Sequence, residues 1–173
     1  ASCLVGSEMC IRDRRKSYKS LINFGEKTLK VESEFSDDLW NDCKTLHMRV
    51  AGRKTRNDKT WDIQKTMIEK NKAKIFYIYE EGKILGFAFF TISNNAGAYS
   101  VAAYDRSKFD KISISHVIIW HAIEYFKSIG FDNIYLGEYA PEKHINNQKL
   151  GNINHFKLGF CNTLISNNYL SNE

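Results

Sequence analysis

The spacing of apolar residues predicts one strand–helix–strand unit over residues 97–137, around which the other elements can be arranged. Its first strand has three residues that alternate with small ones, Tyr99, Val101 and Ala103. A helical period begins near Ser115 and ends at Gly130, and its apolar positions are Ile119, Ala122, Ile123, Phe126 and Ile129. Ile134 and Leu136 then resume the strand period. An apolar helix between two strands predicts a crossover on the face of a sheet.

Two amphipathic helices are predicted upstream of this unit. Ser36 or Asp37 caps the first helix, which runs to about Ala51. Its inward stripe is Leu39, Cys43, Leu46 and Val50. Thr60 caps the second helix, which runs through Lys70. Its apolar set is Trp61, Ile63, Met67 and Ile68.

Shorter patterns complete the order of elements. They are a helix over 15–25, a strand over 27–32, a hairpin of strands over 74–79 and 83–92, a helix over 153–158 and a strand over 160–165. The order is therefore strand, two helices, three antiparallel strands, helix, strand, helix and strand. With 173 residues, of which 43% are hydrophobic, the chain has enough apolar material for one core and one domain.

The first residues differ from the rest of the chain because they show no periodicity. The segment Cys3–Asp13 resembles the conceptual translation of a sequencing adapter, which is a known contaminant of metagenomic assemblies. A secretory signal is the alternative, but the segment lacks a long apolar core and a cleavage site. We therefore interpret residues 1–14 as non-native and exclude them from the interpretation of the fold. Residues 15–26 are then predicted to be a connecting helix from a missing upstream domain, and residues 27–173 to form the functional domain.

Composition and charge limit the classes of function. The net charge of +5 is modest and scattered, so a partner with phosphate or carboxylate groups is allowed but not required. No apolar run approaches the roughly 20 residues of a membrane span. Without residues 1–14, Cys43 and Cys161 remain, which is neither a disulfide framework nor a metal-ligand spacing. We therefore expect a protein of a reducing compartment, located in the cytoplasm, with no metal site.

A resemblance to a known family comes from the last third of the chain. The segment HFKLGF at 155–160 resembles the FKxGF signature of FemAB-type transferases, and LHMRVAGRKTR, AYDR and GEYAPE resemble the same lineage, including its acetyltransferase-like bacterial branch. Those proteins have two GNAT-like domains, and residues 15–166 resemble the connecting helix and the second domain. The resemblance implies an α/β (α+β) fold with a GNAT-like mixed, mostly antiparallel sheet and helices on both faces. It also implies that residues 27–173 form an acyltransferase domain whose fourth and fifth strands splay apart.

The activity that this resemblance implies is transfer of an acyl or aminoacyl group to an amine of a cell-envelope precursor, either a peptidoglycan peptide or an amino sugar. GNAT enzymes that use acyl-CoA hold its pyrophosphate with a glycine-rich loop after the fourth strand. The corresponding loop, 104–115, has no glycine. The donor is therefore an aminoacyl-tRNA or an acyl-CoA bound in an unusual way, and no bound cofactor is expected. The alternative is a non-catalytic GNAT-like domain that binds a ligand or supports its partner domain.

Three residues are candidates for catalysis. Lys157 occupies the lysine of the FKxGF signature, which the resemblance assigns to stabilising charge on the donor or transition state; otherwise it is a solvated lysine. Asp105 ends the fourth strand, where it can accept a proton, orient the acceptor amine, or form an ion pair that shapes the loop. Glu138 follows the fifth strand, where it can act as a general base or pair with Lys143 or Arg106.

Binding roles are predicted for two further groups. Arg53 and Arg56 can grip a phosphate or carboxylate from the loop between the first two helices, beside Trp61, or they only cap the preceding helix. The second group lies at the predicted cleft and consists of Tyr104, Arg106, His116, Lys143 and Phe156. Tyr104 can donate a hydrogen bond to an oxyanion. His116 can serve as a base or acceptor ligand, or simply pack at the start of its helix.

Overall fold

The computed structural model describes residues 2–6, 16–105, 107, 113–140, 148–161 and 163–165, and within these ranges it has six strands and five helices. The strands are β1 (Ser2–Gly6), β2 (Ala73–Glu80), β3 (Lys83–Ser93), β4 (Ala96–Tyr104), β5 (Asn133–Glu138) and β6 (Thr163–Ile165). The helices are α1 (Lys16–Thr28), α2 (Asp37–Ala51), α3 (Asp58–Glu69), α4 (Ile114–Ser128) and α5 (Gln148–Leu158).

All six strands belong to one sheet with the order β2-β3-β4-β5-β1-β6. β2, β3 and β4 form an antiparallel meander, in which Glu81 and Gly82 make the first turn with positive φ angles. The helix α4 then crosses one face, so that β5 lies parallel to β4. β1 is the antiparallel neighbour of both β5 and β6. The sheet is therefore mixed and mostly antiparallel, as predicted.

Two apolar clusters, one on each face of the sheet, hold the helices in place. β3 contributes to both, because Phe87 and Phe89 belong to one cluster and Ala88 and Phe90 to the other, and all four are 0% exposed. Complete burial of each phenylalanine stabilises the fold by roughly 1.5–3 kcal/mol. α2 and α3 cover the first face, whereas α1 and α4 cover the second. The prediction of helices on both faces is therefore confirmed.

α2 and α3 form where the sequence predicts them, with one difference at a cap. Ser36 caps α2, since its side chain accepts a hydrogen bond from the backbone N–H of Leu39 (3.2 Å), and Gly52 ends the helix in the left-handed conformation. α3 begins earlier than predicted because Asn57, not Thr60, is its cap. The Asn57 side chain accepts hydrogen bonds from the backbone N–H and the hydroxyl of Thr60, both at 2.8 Å. Thr60 is thus held by the cap instead of providing it.

The strand predicted over 27–32 is wrong, because α1 continues into this range. The backbone N–H of Leu29 bonds to the carbonyl of Gly25 (2.7 Å), and Glu32 forms an isolated bridge with β2. Gly25 is buried where α1 crosses α4, and a Cβ on this residue would collide with the side chain of Val117. α1 therefore packs closely on α4 and contributes to the same apolar cluster.

Part of the segment that was excluded from the interpretation of the fold enters the sheet. Ser2–Gly6 forms β1 between β5 and β6, with Ser2 opposite Glu138 and Gly6 opposite Asn133. The backbone of this segment thus supplies the strand that lies between β5 and β6. Its non-native origin stays a prediction, as do the connecting role of residues 15–26 and the bounds of the domain.

Three features bear on the expectations about redox state, metal and membrane. Cys43 is a buried free thiol, whereas Cys161 is disulfide-bonded, so the expectation of two reduced cysteines holds for Cys43 alone. In the described ranges, no three or more histidine, cysteine or acidic side chains form a group that could hold a metal ion. None of the helices in these ranges combines the length and the hydropathy that a membrane crossing requires.

Candidate functional site

The fourth and fifth strands separate along their length. In the described part of the chain, the residues of β4 that pair with β5 are Ala96, Gly97 and Ala98. Beyond this point β4 continues along β3 to Tyr104, whereas β5 continues along β1 to Glu138. The two strands therefore leave a gap, which we call the wedge. Its narrow end lies at Ala98 and its wide end at Tyr104.

The wedge opens into a cavity of about 720 Å³ between the sheet, α4 and α5. The β4 wall presents Tyr99, Ala102 and Tyr104. The α5 wall is richer in amide and cationic groups, and its polar side chains are Gln148, Lys149, Asn152 and Lys157. The cavity therefore has one mainly apolar and aromatic wall that carries two hydroxyls, and one polar wall that carries positive charge.

A β-bulge in β4 brings two tyrosines to the same face. In the register with β3, Tyr99 and Val101 are opposite neighbouring residues, so Ser100 is the extra residue. Along a regular strand, residues five apart point to opposite faces. The extra residue reverses this order, and both Tyr99 and Tyr104 line the wedge. The predicted grouping of Tyr99 with Val101 and Ala103 is therefore wrong, because the last two belong to the cluster under α2 and α3.

The hydroxyl groups of Tyr99 and Tyr104 are 3.1 Å apart and share a hydrogen bond. The Tyr99 ring contacts that of Phe90, with centroids 5.5 Å apart. The Tyr104 ring fills space that Gly86 leaves, since a Cβ on Gly86 would be 2.8 Å from Cδ1 of Tyr104. Burial raises the pKa of Tyr99 to about 12 and the pKa of Tyr104 well above its usual value of 10. Both hydroxyls therefore keep their hydrogens at neutral pH.

Lys157 lies on the opposite wall, where its ammonium group is tied to the end of β5. Its Nζ donates a hydrogen bond to the backbone carbonyl of Glu138 (2.8 Å). Gly137 makes room for this contact, because its φ is +88° and a Cβ there would be 3.2 Å from Nζ. Burial lowers the pKa of Lys157, whereas the negative charge of Glu138, whose side chain is exposed, acts in the opposite direction. A partly desolvated cation thus lines the same cavity as the two hydroxyls.

His116 joins α1, α4 and α5 through an aromatic cluster. Its ring contacts those of Tyr18, Phe156 and Phe160, with centroid distances of 4.3, 5.0 and 5.8 Å. The Tyr18 hydroxyl donates to the backbone carbonyl of Phe156 (3.3 Å), and the Tyr18 ring lies where a Cβ on Gly159 would be. Burial lowers the pKa of His116 to about 4, so the ring is neutral at pH 7. The contacts of His116 are those of a packing residue, while Phe156 both packs here and lines the wedge.

Asp105 follows β4 at the wide end of the wedge. Its Oδ2 forms an ion pair with Nη2 of Arg49 on α2 (3.0 Å). Its Oδ1 accepts hydrogen bonds from the backbone N–H (3.0 Å) and the hydroxyl (2.7 Å) of Ser107. The ion pair that the sequence allows for Asp105 is therefore present, with Arg49 as the partner, and it fastens the start of the β4–α4 loop to α2.

The residues predicted in the loop between α2 and α3 are dispersed. Arg53 is exposed, and Arg56 lies near His47, where its charge adds to the lowering of the His47 pKa that burial causes first. Trp61 is 3% exposed, and its ring lies between those of Trp40 and His47 at centroid distances of 5.3 Å. Trp61 is therefore a core residue, and its position does not support the predicted contact with a substrate. Neither arginine is among the described residues that line the cavity.

The sequence interpretation missed Arg49, the polar face of α5 and the role of Asn154. Asn154 is 4% exposed; its Nδ2 donates to the backbone carbonyl of Ala140 (2.6 Å), and its Oδ1 accepts from the Ala140 N–H (3.3 Å). It thereby fixes α5 to the segment after β5. The local sequence gives no signal for this role, because α5 also carries the polar residues Asn152, His155 and Lys157. Two predicted binding residues, Arg106 and Lys143, lie outside the described residues.

Comparison with solved structures identifies the fold. No protein-family model and no curated protein matches the sequence. FemX matches with a TM-score of 0.73 at 12% identity, over 92% of this chain and 57% of FemX. L-PGS from Bacillus licheniformis gives 0.67 at 15% identity, over 92% and 55% of the two chains. The ribosomal-protein-S18-alanine N-acetyltransferase from Escherichia coli gives 0.58 at 13% identity, over 75% and 76%.

The chain thus spans little more than half the length of FemX and of L-PGS. At these identities the likeness concerns the fold, and it agrees with the separation of β4 and β5 that the structure shows. The molecule therefore has the FemAB-like GNAT fold that its sequence predicts, a fold that it shares with acyltransferases.

Proposed function

We propose that this chain is the acyltransferase domain of a FemAB-like protein and that it transfers an acyl or aminoacyl group to an amine. The observation that carries the proposal is the wedge between β4 and β5, with a pair of tyrosine hydroxyls on one wall and the Lys157 ammonium on the other. A gap inside a sheet holds a donor and an acceptor in a fixed relative position, which is the main requirement of a two-substrate reaction.

The edge of β4 supports binding of an extended donor. From Tyr99 to Tyr104 this edge faces the wedge instead of β5. Backbone N–H and C=O groups on a strand edge form hydrogen bonds with the amide groups of an extended ligand. Both the pantetheine arm of an acyl-CoA and an aminoacyl ester carry groups that suit such an edge.

The reaction itself needs an unprotonated amine and a stabilised oxyanion. The amine nitrogen attacks the carbonyl carbon, and the electron pair of the C=O bond moves to oxygen. Collapse of the tetrahedral intermediate then expels the leaving group of the donor, while the nitrogen gives up its proton. Tyr104 and Lys157 are the proposed hydrogen-bond donors to the oxyanion or the leaving group. Glu138, whose carboxylate is exposed beside Lys157, is the proposed proton acceptor.

The donor proposed is an aminoacyl-tRNA, or an acyl-CoA held without a glycine-rich loop, because residues 104–115 contain no glycine. The acceptor proposed is an amine of a cell-envelope precursor in the cytoplasm, either a peptidoglycan peptide or an amino sugar. The resemblance of HFKLGF to the FemAB signature supports this assignment, as does the likeness to FemX. Arg53 and Arg56 stay candidates for its phosphate or carboxylate groups, and an upstream GNAT-like domain is proposed to complete the acceptor site.

A transfer assay with a matched pair of lysine variants tests the proposal. The full-length protein, which includes the proposed upstream domain, is incubated with radiolabelled acetyl-CoA or with a mixed pool of aminoacyl-tRNAs, and with a lysine-containing stem peptide or glucosamine as the acceptor. We expect Lys157→Met to lower kcat by about 100-fold, because one charged donor to the reacting oxygens is lost. Lys19→Met, which replaces an exposed lysine of α1, serves as the control and keeps the parental rate.

Two outcomes of this assay contradict the proposal. Equal rates for Lys157→Met and the parent exclude a catalytic role of Lys157. If no acceptor is modified although acetyl-CoA or the tRNA pool binds in calorimetry, the non-catalytic alternative, a ligand-binding domain, replaces the enzyme. Circular dichroism of each variant shows that a loss of transfer is not a loss of fold.

A further inference from the structure

The hydroxyls of Tyr99 and Tyr104 lie at different positions along the wedge. Tyr99 directly follows Ala98, the residue at which β4 and β5 part, and so it lies at the narrow end. Tyr104 is the last residue of β4 and lies at the wide end. A ligand that enters where the strands are farthest apart therefore meets the hydroxyl of Tyr104 first.

The hydrogens of the pair are limited in number. A tyrosine hydroxyl has one hydrogen to donate and can also accept. The bond of 3.1 Å between Tyr99 and Tyr104 uses one of the two hydrogens, whichever ring provides it. The other hydrogen is left for a ligand. The direction of the bond between the tyrosines thus decides which of them can donate to a group in the wedge.

The rings themselves have little freedom to change this arrangement. The Tyr104 ring lies against Gly86, where a Cβ would be 2.8 Å from Cδ1, and Ile114 of α4 approaches the same point within 2.8 Å. The Tyr99 ring contacts Phe90, which is 0% exposed. Because the oxygens are held in place, only the rotation of the two O–H bonds is free. The choice between the two directions is therefore made by the ligand and by the local hydrogen-bond chain.

We propose that Tyr99 is a positioning residue: it donates its hydrogen to the Tyr104 oxygen and thereby directs the Tyr104 hydrogen toward the carbonyl oxygen of the acyl group in the wedge. A carbonyl oxygen can only accept, so the chain Tyr99 to Tyr104 to carbonyl satisfies every group in it. Successive hydrogen bonds of this kind polarise one another, so the Tyr104 hydroxyl is a stronger donor than it is alone. The inference rests on the proposed acyl transfer, and Tyr104 is the residue that touches the substrate.

The direction of the bond is tested with the acyl donor bound and no acceptor present, because the ligand takes part in setting it. A hydroxyl hydrogen that is held in a buried bond gives an NMR resonance with cross-peaks to the ring protons of its own tyrosine. We expect a cross-peak from such a resonance to Hε of Tyr99, and its loss in both Tyr99→Phe and Tyr104→Phe. A cross-peak to Hε of Tyr104 instead means that Tyr104 donates to Tyr99, and it overturns the inference.

The transfer assay tests the second half of the inference. Tyr104→Phe is expected to lower kcat by about 100-fold, as loss of one oxyanion donor does in other enzymes. Tyr99→Phe is expected to lower kcat by roughly three- to tenfold with KM unchanged, since one neutral hydrogen bond is lost while the donor remains. Tyr125→Phe removes a hydroxyl on α4, outside the residues that line the wedge, and keeps the parental rate. A larger effect for Tyr99→Phe than for Tyr104→Phe overturns the inference.

The two experiments separate failure of this inference from failure of the proposed function. Absence of transfer by the full-length parent protein with every donor removes the proposed function and the carbonyl role of Tyr104 with it, whatever the direction of the bond. Transfer that occurs at equal rates in both phenylalanine variants and the parent keeps the proposed function and overturns the role of the tyrosines. Melting temperatures of the variants within a few degrees of the parent show that the rings still pack.

Discussion

The two halves of β4 belong to one strand but differ in what covers their second edge. Residues 96–98 are paired on both sides, with β3 and with β5, and a Cβ on Gly97 would be 3.2 Å from the ring of Phe126 below it. Residues 99–104 are paired with β3 on one side and face the wedge on the other. The bulge at Ser100 lies just inside the second half and sets which side chains enter the wedge.

The comparison separates stability from chemistry within a single strand. We call residues 96–98 the closed half of β4. Its backbone groups form hydrogen bonds within the sheet on both sides, and the ring of Phe126 packs against it. We call residues 99–104 the open half. On one edge it lacks sheet hydrogen bonds, each of which contributes about 0.5–1.5 kcal/mol, so these backbone groups can bind a ligand. We therefore expect substitutions that touch the closed half to act on folding, and those around the open half to act on the site.

The largest effect is expected for Phe126→Ala, below the closed half. Phe126 is 0% exposed, and its ring contacts Phe90, Phe131 and Phe76 at centroid distances of 5.4, 5.2 and 6.0 Å. Removal of such a ring leaves a cavity and costs about 3–5 kcal/mol of the free energy of unfolding, measured by urea denaturation. Phe24→Ala makes the same change at a 54% exposed position and is expected to cost less than about 1 kcal/mol. Similar losses in the two variants would show that the closed half is not packed as described.

The next largest effect is expected from pH, through His116, which packs between α1 and α5 beside the open half of β4. The His116 ring contacts Tyr18 of α1 and Phe156 of α5, and burial lowers its pKa from 6.5 to about 4. Between these two pH values the unfolded state binds more protons than the folded state, so the stabilisation present above pH 6.5 is lost as the pH falls toward 4. A shift of this size corresponds to about 3 kcal/mol at most.

The variant His116→Phe isolates this contribution because its ring is uncharged at every pH. Carboxylates also titrate in the same range, so the free energy of unfolding is measured for both proteins at pH 7 and at pH 4.5. We expect the parent to lose more than the variant by up to about 3 kcal/mol. Parallel pH profiles would mean that the imidazole is solvated, and that α5 is not held on the open side by a neutral His116.

Local signals in the sequence predicted the helix α2 well. The Ser36 cap of α2 and its end near Ala51 follow from short-range rules, and both occur. The alternation of Leu29 and Val31 predicted a strand, but α1 ends at Thr28 and Glu32 alone of this range forms a bridge with β2. The entry of Ser2–Gly6 into the sheet depends on pairing with β5 and β6, which are far away in sequence. Such tertiary contacts leave no local pattern.

The site was predicted in part, for a physical reason. Lys157 and Phe156 follow from a motif, and Tyr104 from its place at a strand end, and all three line the cavity. Tyr99 was not assigned to the site, because one extra residue in β4 changes the face of every later side chain. Trp61 was assigned to it wrongly, although its spacing of seven from the buried Ile68 marks the inner face of α3.

The smallest effect is expected at the wide end of the wedge, where Arg49 pairs with Asp105. The two side chains are 57% and 24% exposed, so water screens the pair and its contribution is about 0.2–1 kcal/mol. A double-mutant cycle of Arg49→Gln and Asp105→Asn measures this coupling from free energies of unfolding. The amide that Asp105→Asn introduces keeps an oxygen for the contacts with Ser107, so the cycle removes charge and leaves the turn in place.

Salt then distinguishes an ion pair from a packing contact in the same cycle. At 1 M salt the screening length falls to about 3 Å, and we expect the coupling between Arg49 and Asp105 to become smaller than at low salt. Arg53→Gln, at an exposed position four residues further on, is the control and is expected to show no coupling to Asp105→Asn. A coupling that persists at 1 M salt would instead show that the aliphatic stem of Arg49 packs against the end of β4. The wide end of the wedge would then be held by apolar contact, like the closed half of the strand.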